Sequence, residues 1–191
     1  GWVTAPALID DRLTSDSPED LLVALRTPTP ERIFQVKHAL LAGLSVEKIA
    51  QASGIDPWFL YQLEELVDAE REFKALKSVT APEMRRMKRL GFSDRQLAGL
   101  RDTTETKIRE QRWGFDIHPA YKTVDTCAGE FPSSTPYLYS SYDHENESEP
   151  IGAQGIVILG SGPNRIGQGV EFDYCCVRTG LALRELGFKT I

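Results

Sequence analysis

The sequence has few cysteines, few histidines and no long apolar run. Its 191 residues include three cysteines and three histidines, with no CxxC pair and no spacing typical of a zinc site. A disulfide framework or metal centre is therefore not expected. No apolar run reaches the ~18 residues that a membrane-spanning helix needs. With 28 acidic against 22 basic side chains, the chain lacks the positive charge typical of a non-specific nucleic-acid binder. These absences predict a cytoplasmic globular protein with no membrane or nucleic-acid partner.

Helix-capping residues, in contrast, are dense between Ser17 and Trp113. Ser17-Pro18 combines an N-cap with a proline at the first helical position, and Thr29-Pro30-Glu31 repeats that opening. Further starts are predicted at Ser45, Asp56, Thr80, Ser93 and Thr103 or Thr104, and helix ends at Gly43, Gly54, Gly91 and Gly114. The pattern predicts about six or seven helices in a mainly α-helical module of residues 17–113.

The longest predicted helix runs from Pro57 to about Leu76 and is amphipathic. Its apolar stripe comprises Phe59, Leu60, Leu63, Leu66, Val67 and Phe73. On the polar side, Glu70 lies one turn from Lys74, so an ion pair within the helix is expected. The stripe is typical either of a core-facing helix or of a contact between subunits.

A weak internal repeat appears at an offset of 48 residues. Gly43-Leu44-Ser45 corresponds to Gly91-Phe92-Ser93, and Ile49-Ala50 corresponds to Leu97-Ala98. Each copy contains a glycine stop, a serine cap, a short helix, a turn and a second helix. Two such copies packed together would each cover an apolar face that neither could bury alone.

The first copy also resembles a helix-turn-helix, which is an alternative interpretation. A DNA-reading helix should offer Arg, Lys, Asn or Gln to bases and phosphates. The second helix here begins Pro57-Trp58-Phe59, with Gln62 its first useful polar group before Glu64 and Glu65. Carboxylates repel the phosphate backbone, so the residues disfavour DNA binding.

Residues 114–150 contain prolines at 119, 132, 136 and 150 among scattered aromatic side chains. Proline disfavours helix, which predicts an extended or irregular segment. Because the aromatic residues are too apolar for a free linker, we expect the segment to wrap around a neighbouring domain and bury them. The acidic stretch that follows predicts a solvated boundary at the end of this segment.

The last forty or so residues change to an α/β pattern. Ile156 to Leu159 is a short apolar run typical of a strand buried on both faces. A glycine-rich turn follows, then a predicted helix from about Val170 to Leu186 and a second strand from Phe188 to Ile191. This order predicts the βαβ start of a Rossmann-like, doubly wound sheet in residues 151–191. The chain is expected to be a fragment that stops within this domain.

The turn GSGPNRIGQG matches neither common phosphate-binding pattern. Arg165 occupies the third glycine position of GxGxxG, and no Gly-Lys-Ser/Thr closes a P-loop. Glu171 and Asp173 in the first helical turn would oppose a phosphate there, and either carboxylate is expected to pair with Arg165. Two interpretations stay open, a tight structural turn or an opening through which a small ligand passes. For Cys175 and Cys176, early in the helix, buried small apolar side chains and a reactive thiolate are the alternatives.

The string from Gly160 to Cys176, GSGPNRIGQGVEFDYCC, resembles the start of the second synthetase half in the large-subunit family of carbamoyl phosphate synthetases. The helical part resembles the oligomerisation domain that precedes this half. Matching strings are IDPWFLYQLEELVDAE, GFSDRQLA, HPAYKTVDTCAGEF and TPYLYSSY. The resemblance extends from about Thr29 to Ile191, and it implies that residues 1–16 are the tail of the preceding synthetase half. The preATP-grasp fold is implied for residues 151–191.

The resemblance implies a parent ligase that makes carbamoyl phosphate from bicarbonate, glutamine-derived ammonia and two ATP, for arginine and pyrimidine biosynthesis. ATP, Mg²⁺ or Mn²⁺ and K⁺ would bind outside this chain, which would hold no catalytic or metal-binding residue and be inactive alone. The implied partners are the remaining domains of the large subunit, a small glutamine amidotransferase subunit and a further copy bound through the helical module. A stand-alone nucleotide-binding α/β protein with a helical cap is the remaining alternative.

The resemblance also implies a position for the glycine turn on an interior passage that carries carbamate between two active sites. Gly167, Gln168 and Gly169 match the passage-lining turn, and Gly169 is the strongest candidate. The residues expected to shape the turn are Gly160, Gly162, Arg165, Glu171 and Asp173.

Overall fold

The computed structural model describes residues 17–133, 137–160 and 169–191. Those residues form eight helices and four short strands, so the chain is mostly helical, as predicted. The chain divides into two compact units. The first, called the helical unit below, extends to Pro119 and includes Ser141–Asp143, and the second comprises Ala120–Ser140 and His144–Ile191.

Seven helices build the described part of the helical unit, which confirms the predicted number. They are α1 (Pro18–Ala24), α2 (Arg32–Leu41), α3 (Val46–Ser53), α4 (Pro57–Ala75), α5 (Ala81–Arg89), α6 (Asp94–Leu100) and α7 (Glu105–Gly114). The 19-residue α4 is the longest of these and begins after the predicted Asp56 cap, whose carboxylate accepts from the Trp58 amide at 2.8 Å. Local capping chemistry therefore locates most helix starts.

The predicted start of α2 at Thr29-Pro30-Glu31 is wrong. The helix begins at Arg32, and Glu31 occupies the N-cap position without a side-chain cap. Residues 29–32 instead form a turn in which the Arg32 amide donates to the Thr29 carbonyl at 3.1 Å. The Arg32 guanidinium also donates to the carbonyls of Leu25 and Ser53. Contacts with α1 and α3, rather than a local cap, therefore determine where α2 begins.

Two core clusters lie along the helical unit, and α4 contributes to both. The first cluster comprises Leu25, Val36, Ala39, Leu40, Val46, Ile49, Leu60 and Val67. The second comprises Ala69, Phe73, Met84, Met87, Phe92, Leu97, Ala98, Ile108 and Ile117. The apolar stripe of α4 is therefore largely core, with the exception of Phe59, which is 58% exposed.

The two copies of the sequence repeat have the same backbone arrangement at their glycine stops. Gly43 and Gly91 have φ values of +84° and +93°. The amide of Leu44 donates to the Ala39 carbonyl at 3.0 Å, and that of Phe92 donates to the Met87 carbonyl at 3.2 Å. These 6→1 bonds are the Schellman ends of α2 and α5, 48 residues apart. The repeat is confirmed at these positions.

Two small sheets lie after residue 119 in the described part of the chain. β1 (Ala120–Thr123) pairs with β2 (Leu138–Ser141), and β3 (Gly155–Ile156) pairs with β4 (Lys189–Thr190). The second pair is parallel, with Gly155 opposite Lys189, and α8 (Gly169–Glu185) lies between its strands in sequence. The predicted strand–helix–strand order is therefore present, with α8 one residue offset from its predicted bounds.

The prediction that residues 156–159 are buried on both faces is wrong. Val157 and Leu159 are 61% and 88% exposed, whereas Ile156 and Ile158 are half-buried. Side chains alternate between the two faces of a strand. Ile158 Cδ1 lies 3.6 Å from the Cβ position of Gly180 on α8. Ile158, just after β3, therefore packs against α8, whereas Val157 and Leu159 are exposed among the described residues.

The wrapping segment is also less buried than predicted. Its exposed aromatic and aliphatic side chains include Tyr121, Phe131, Tyr137, Leu138 and Tyr139. Tyr142 differs from them because it is half-buried and packs against the second core cluster of the helical unit. After Pro119 the chain returns to that unit at Ser141–Asp143, whereas the exposed side chains named above belong to the second unit.

Candidate functional site

The glycine turn selected from the sequence is described only at its two ends. Gly162, Arg165, Gly167 and Gln168 lie outside the described residues. Gly160 is the first residue of the turn, and a Cβ atom added to it would meet no heavy atom of the described residues within 4 Å. Gly169 is the first residue of α8.

Glu171 and Asp173 lie in the first turns of α8, as expected, although their side chains are outside the described part of the chain. The Arg165 ion pair and the passage-lining role therefore stay predictions.

The elements flanking the turn are joined to each other. The Ile158 amide donates to the Ile191 carbonyl at 2.8 Å, and the Ile191 amide donates to the Ile156 carbonyl at 3.0 Å. Arg184 Nε, on α8, donates to Thr190 Oγ1 at 3.1 Å. The chain segments before and after the turn thus belong to one hydrogen-bonded β3–α8–β4 arrangement.

A buried charge cluster in the helical unit was not predicted from the sequence. It consists of Lys88 on α5, Asp94 at the start of α6 and Arg112 on α7, which are 6%, 8% and 5% exposed. Lys88 Nζ donates to Asp94 Oδ1 at 2.9 Å. Arg112 donates to both carboxylate oxygens, from Nη2 to Oδ2 at 2.9 Å and from Nε to Oδ1 at 3.1 Å. One carboxylate therefore joins three helices.

The two cations of the cluster also bind backbone carbonyls. Lys88 Nζ donates to the Phe92 carbonyl at 2.6 Å, and Arg112 Nη1 donates to the Ile117 carbonyl at 2.7 Å. Burial of a charge is tolerated only when hydrogen bonds and an opposite charge compensate its lost hydration. These bonds satisfy that condition and also hold the chain where it leaves α5 and α7.

The surroundings of the cluster keep Asp94 ionised. Burial alone would raise the pKa of the Asp94 carboxyl, but hydrogen bonds from Arg112 and Lys88 outweigh it, so the pKa lies below its ordinary value. Burial lowers the pKa of the Lys88 ammonium more than its hydrogen bond to Asp94 raises it. The carboxylate is thus the stable anion, shared by a lysine and an arginine.

An aromatic ring from the wrapping segment covers the two cations. The centroid of the Tyr142 ring lies 5.0 Å from Lys88 Nζ and 5.7 Å from Arg112 Cζ. Both distances are within the range of a cation–π interaction. The next residue, Asp143, approaches Arg89 at 3.8 Å between Oδ1 and Nη2.

The internal repeat contained a signal for this cluster that the sequence analysis missed. At the offset of 48, Lys88 corresponds to Leu40 and Asp94 corresponds to Val46. Leu40 and Val46 are 4% and 2% exposed in the first core cluster. Two charged residues at positions that are apolar core in the other copy therefore indicated a buried ion pair.

The described residues offer little for direct chemistry. Among them, no three or more His, Cys, Asp and Glu side chains are grouped as a metal ion would require. None of the helices in the described ranges combines the length and apolarity needed to cross a membrane. The cluster itself is suited to a structural role, because its groups form hydrogen bonds with one another and with the backbone.

In the helix-turn-helix interpretation, the first turns of α4 would contact DNA. Trp58, Phe59 and Tyr61 are exposed there, and the rings of Trp58 and Phe59 meet edge to face at 5.0 Å. The Tyr61 hydroxyl donates to Glu47 at 3.0 Å. An apolar surface with a carboxylate favours contact with protein over contact with phosphates.

Comparisons with known proteins all identify the same family. Residues 5–116 match the family model described as the carbamoyl-phosphate synthetase large chain, oligomerisation domain. Residues 152–191 match the model described as the carbamoyl phosphate synthase preATP-grasp domain. The two models match in the order that the resemblance implied.

Several curated relatives share the name carbamoyl phosphate synthase large chain. One from Gemmatimonas aurantiaca is 61% identical over 191 residues, 100% of this chain and 18% of the relative. One from Haemophilus ducreyi is 51% identical over 181 residues, 94% of this chain and 17% of the relative. One from Nostoc sp. is 49% identical over 177 residues, 92% of this chain and 16% of the relative. The chain thus spans less than a fifth of each relative, and it belongs to the carbamoyl phosphate synthetase large-chain family.

Proposed function

We propose that this chain is the structural centre of a carbamoyl phosphate synthetase large chain, an ATP-dependent ligase. The reaction is formation of carbamoyl phosphate from bicarbonate, glutamine-derived ammonia and two ATP, in the cytoplasm, for arginine and pyrimidine biosynthesis. The observation that carries this proposal is the 61% identity to a carbamoyl phosphate synthase large chain over all 191 residues.

The role of this chain in that enzyme is to position catalytic domains rather than to perform catalysis. Its buried polar centre, at Lys88, Asp94 and Arg112, is engaged in hydrogen bonds between helices. ATP, Mg²⁺ or Mn²⁺ and K⁺ are assigned to the other domains of the large chain, and glutamine hydrolysis to a small amidotransferase subunit. The chain by itself is expected to be inactive.

The helical unit is proposed to associate with a second copy. Exposed apolar side chains support this assignment, among them Val23, Ile33, Trp58, Phe59 and Trp113. Sedimentation equilibrium of this chain over a range of concentrations tests it directly. A dimer or larger species is expected, and a monomer at all concentrations would contradict the assignment.

The second unit is proposed to be the start of a doubly wound, preATP-grasp α/β domain. The parallel pairing of β3 with β4 and the position of α8 between them support this fold. The exposed Val157 and Leu159 support further elements on that face, because parallel sheets are generally covered on both faces. The turn at Gly167, Gln168 and Gly169 is proposed to line the passage for carbamate.

The activity is tested by comparing this chain with the whole large chain that contains it. The whole chain, supplied with bicarbonate, ammonia, ATP and Mg²⁺, should form carbamoyl phosphate, measured after conversion to citrulline. This chain alone should form none above background. Formation of product by this chain alone would contradict the structural role, and none by the whole chain would contradict the activity.

A further inference from the structure

The buried charge cluster is present in only one of the two repeats. In the first copy, Leu40 and Val46 occupy the positions of Lys88 and Asp94 and pack in an apolar core. The same backbone arrangement is thus compatible with apolar residues at both positions. Stability of the repeat does not explain the charges, because a buried ion pair is seldom more stable than a well-packed apolar pair.

The cluster contains more positive than negative charge. Lys88 and Arg112 share the single buried carboxylate of Asp94. Arg109, on the rim, is 3.9 Å from the same carboxylate and pairs with Glu105 at 2.6 Å. Two cations with one anion leave a positive potential on the open side of the cluster, where a π face is a favourable neighbour.

Tyr142 is the aromatic residue that occupies this open side. Its ring lies near both cations and packs against apolar members of the second core cluster. Tyr139, three residues earlier, is half exposed and belongs to the second unit. The residues on either side, Ser140 and His144, belong to the second unit.

We propose that Lys88, Asp94 and Arg112 form a docking site for the Tyr142 ring, a latch that fastens residues 141–143 to α5, α6 and α7 and opens without unfolding these helices. Asp94 is a positioning residue in this device, since it fixes both cations beneath the ring. The second repeat binds the segment because it presents cations, whereas the first repeat has the aliphatic residues Leu40 and Val46 at the positions of Lys88 and Asp94.

The test compares backbone amide exchange at residues 141–143 in four chains and one control variant. They are the wild type, Tyr142→Leu, a variant with an apolar cluster, and the combination of both. The apolar cluster is Lys88→Leu with Asp94→Val, which copies the first repeat, together with Arg112→Met. Exchange in α4 reports whether the helical unit remains folded, and Tyr139→Leu is the matched control on an exposed ring.

Tyr142→Leu should accelerate exchange at residues 141–143 by about tenfold, in keeping with the strength of desolvated cation–π contacts. The apolar cluster should accelerate it similarly, and Tyr142→Leu should then add nothing. Tyr139→Leu should leave these amides unchanged, and α4 should stay protected throughout.

Three results would overturn the proposal. In the first, residues 141–143 stay protected in the apolar-cluster variant. In the second, Tyr142→Leu has the same effect in both backgrounds, which would show that apolar packing alone holds the ring. In the third, α4 loses protection together with residues 141–143, which would make the cluster part of the folding core rather than a latch.

Discussion

Glu70 on α4 accepts a hydrogen bond from Lys37 on α2, with 2.6 Å between Oε1 and Nζ. The sequence predicted a different partner, Lys74, one turn along the same helix. The two side chains are 16% and 15% exposed, so the pair is largely withdrawn from solvent. A contact between helices therefore replaces the expected contact within one helix.

This ion pair makes a prediction about stability. Lys37→Met leaves the Glu70 carboxylate largely buried without its cation, and should lower the free energy of unfolding by about 1–2 kcal/mol. Lys74→Met is the control, since Lys74 is exposed, and it should change stability by less than about 0.5 kcal/mol. Urea unfolding followed by circular dichroism measures both. Equal losses of unfolding free energy in the two variants would contradict the pairing of Glu70 with Lys37.

The buried cluster predicts a larger effect for its single carboxylate. Asp94→Asn leaves Lys88 and Arg112 buried beside a neutral amide, and should cost about 3–5 kcal/mol of unfolding free energy. The matched control is Asp102→Asn, a carboxylate outside the cluster, which should cost less than about 1 kcal/mol. Urea unfolding at neutral pH distinguishes them. A small loss in Asp94→Asn would mean that the two cations do not depend on this carboxylate.

The same carboxylate also predicts a pH dependence. Because the folded protein lowers the pKa of Asp94, ionised Asp94 contributes its full stabilisation above the unfolded pKa of about 3.9. That contribution is lost as the pH falls through the lower, folded pKa. Wild type should therefore lose stability below about pH 4 more steeply than Asp94→Asn. Parallel acid titrations, followed by tryptophan fluorescence, would contradict this if the two slopes agree.

Substitution by alanine should have opposite effects on stability at two glycines, Gly91 and Gly114. Gly91 has φ +93°, so Gly91→Ala should destabilise the chain by about 1–2 kcal/mol. Gly114 is the last residue of α7, and no neighbouring atom of the described residues lies within 4 Å of its Cβ position. Gly114→Ala should stabilise by up to about 1 kcal/mol. Thermal unfolding of both variants measures the difference, and a shift of the same sign in both would contradict the assignment.

The proposed carbamate passage is tested in the whole enzyme at Gly169. Gly169→Phe should block transit of carbamate, because the large ring would fill the passage, and should abolish formation of carbamoyl phosphate. Bicarbonate-dependent ATP hydrolysis should persist, since it precedes transit. Gly160→Ala, at the first residue of the turn, where no heavy atom of the described residues lies within 4 Å of the Cβ position, is the control and should retain both activities. Undiminished carbamoyl phosphate formation by Gly169→Phe would refute the passage assignment.

Local chemistry accounts for what the sequence predicted correctly. The caps at Ser17 and Ser93 and the left-handed glycines at Gly43 and Gly91 involve bonds that span only three to five residues. Such bonds depend on the identity of near neighbours, so they can be recognised without knowing the fold. The family resemblance is likewise a property of the residue order, and it was confirmed over the entire chain.

Long-range packing decided the rest. The pairing of Glu70 with Lys37, the start of α2 at Arg32 and the exposure of Val157 each depend on which elements face one another. The candidate site divides in the same way, because the glycine turn was identified from its residues, whereas the charge cluster was identified from the structure. Lys88, Asp94 and Arg112 are separated by up to 24 residues in sequence. Only the packing of α5, α6 and α7 removes them from water, and loss of hydration is what turns three ordinary surface residue types into one buried ion cluster.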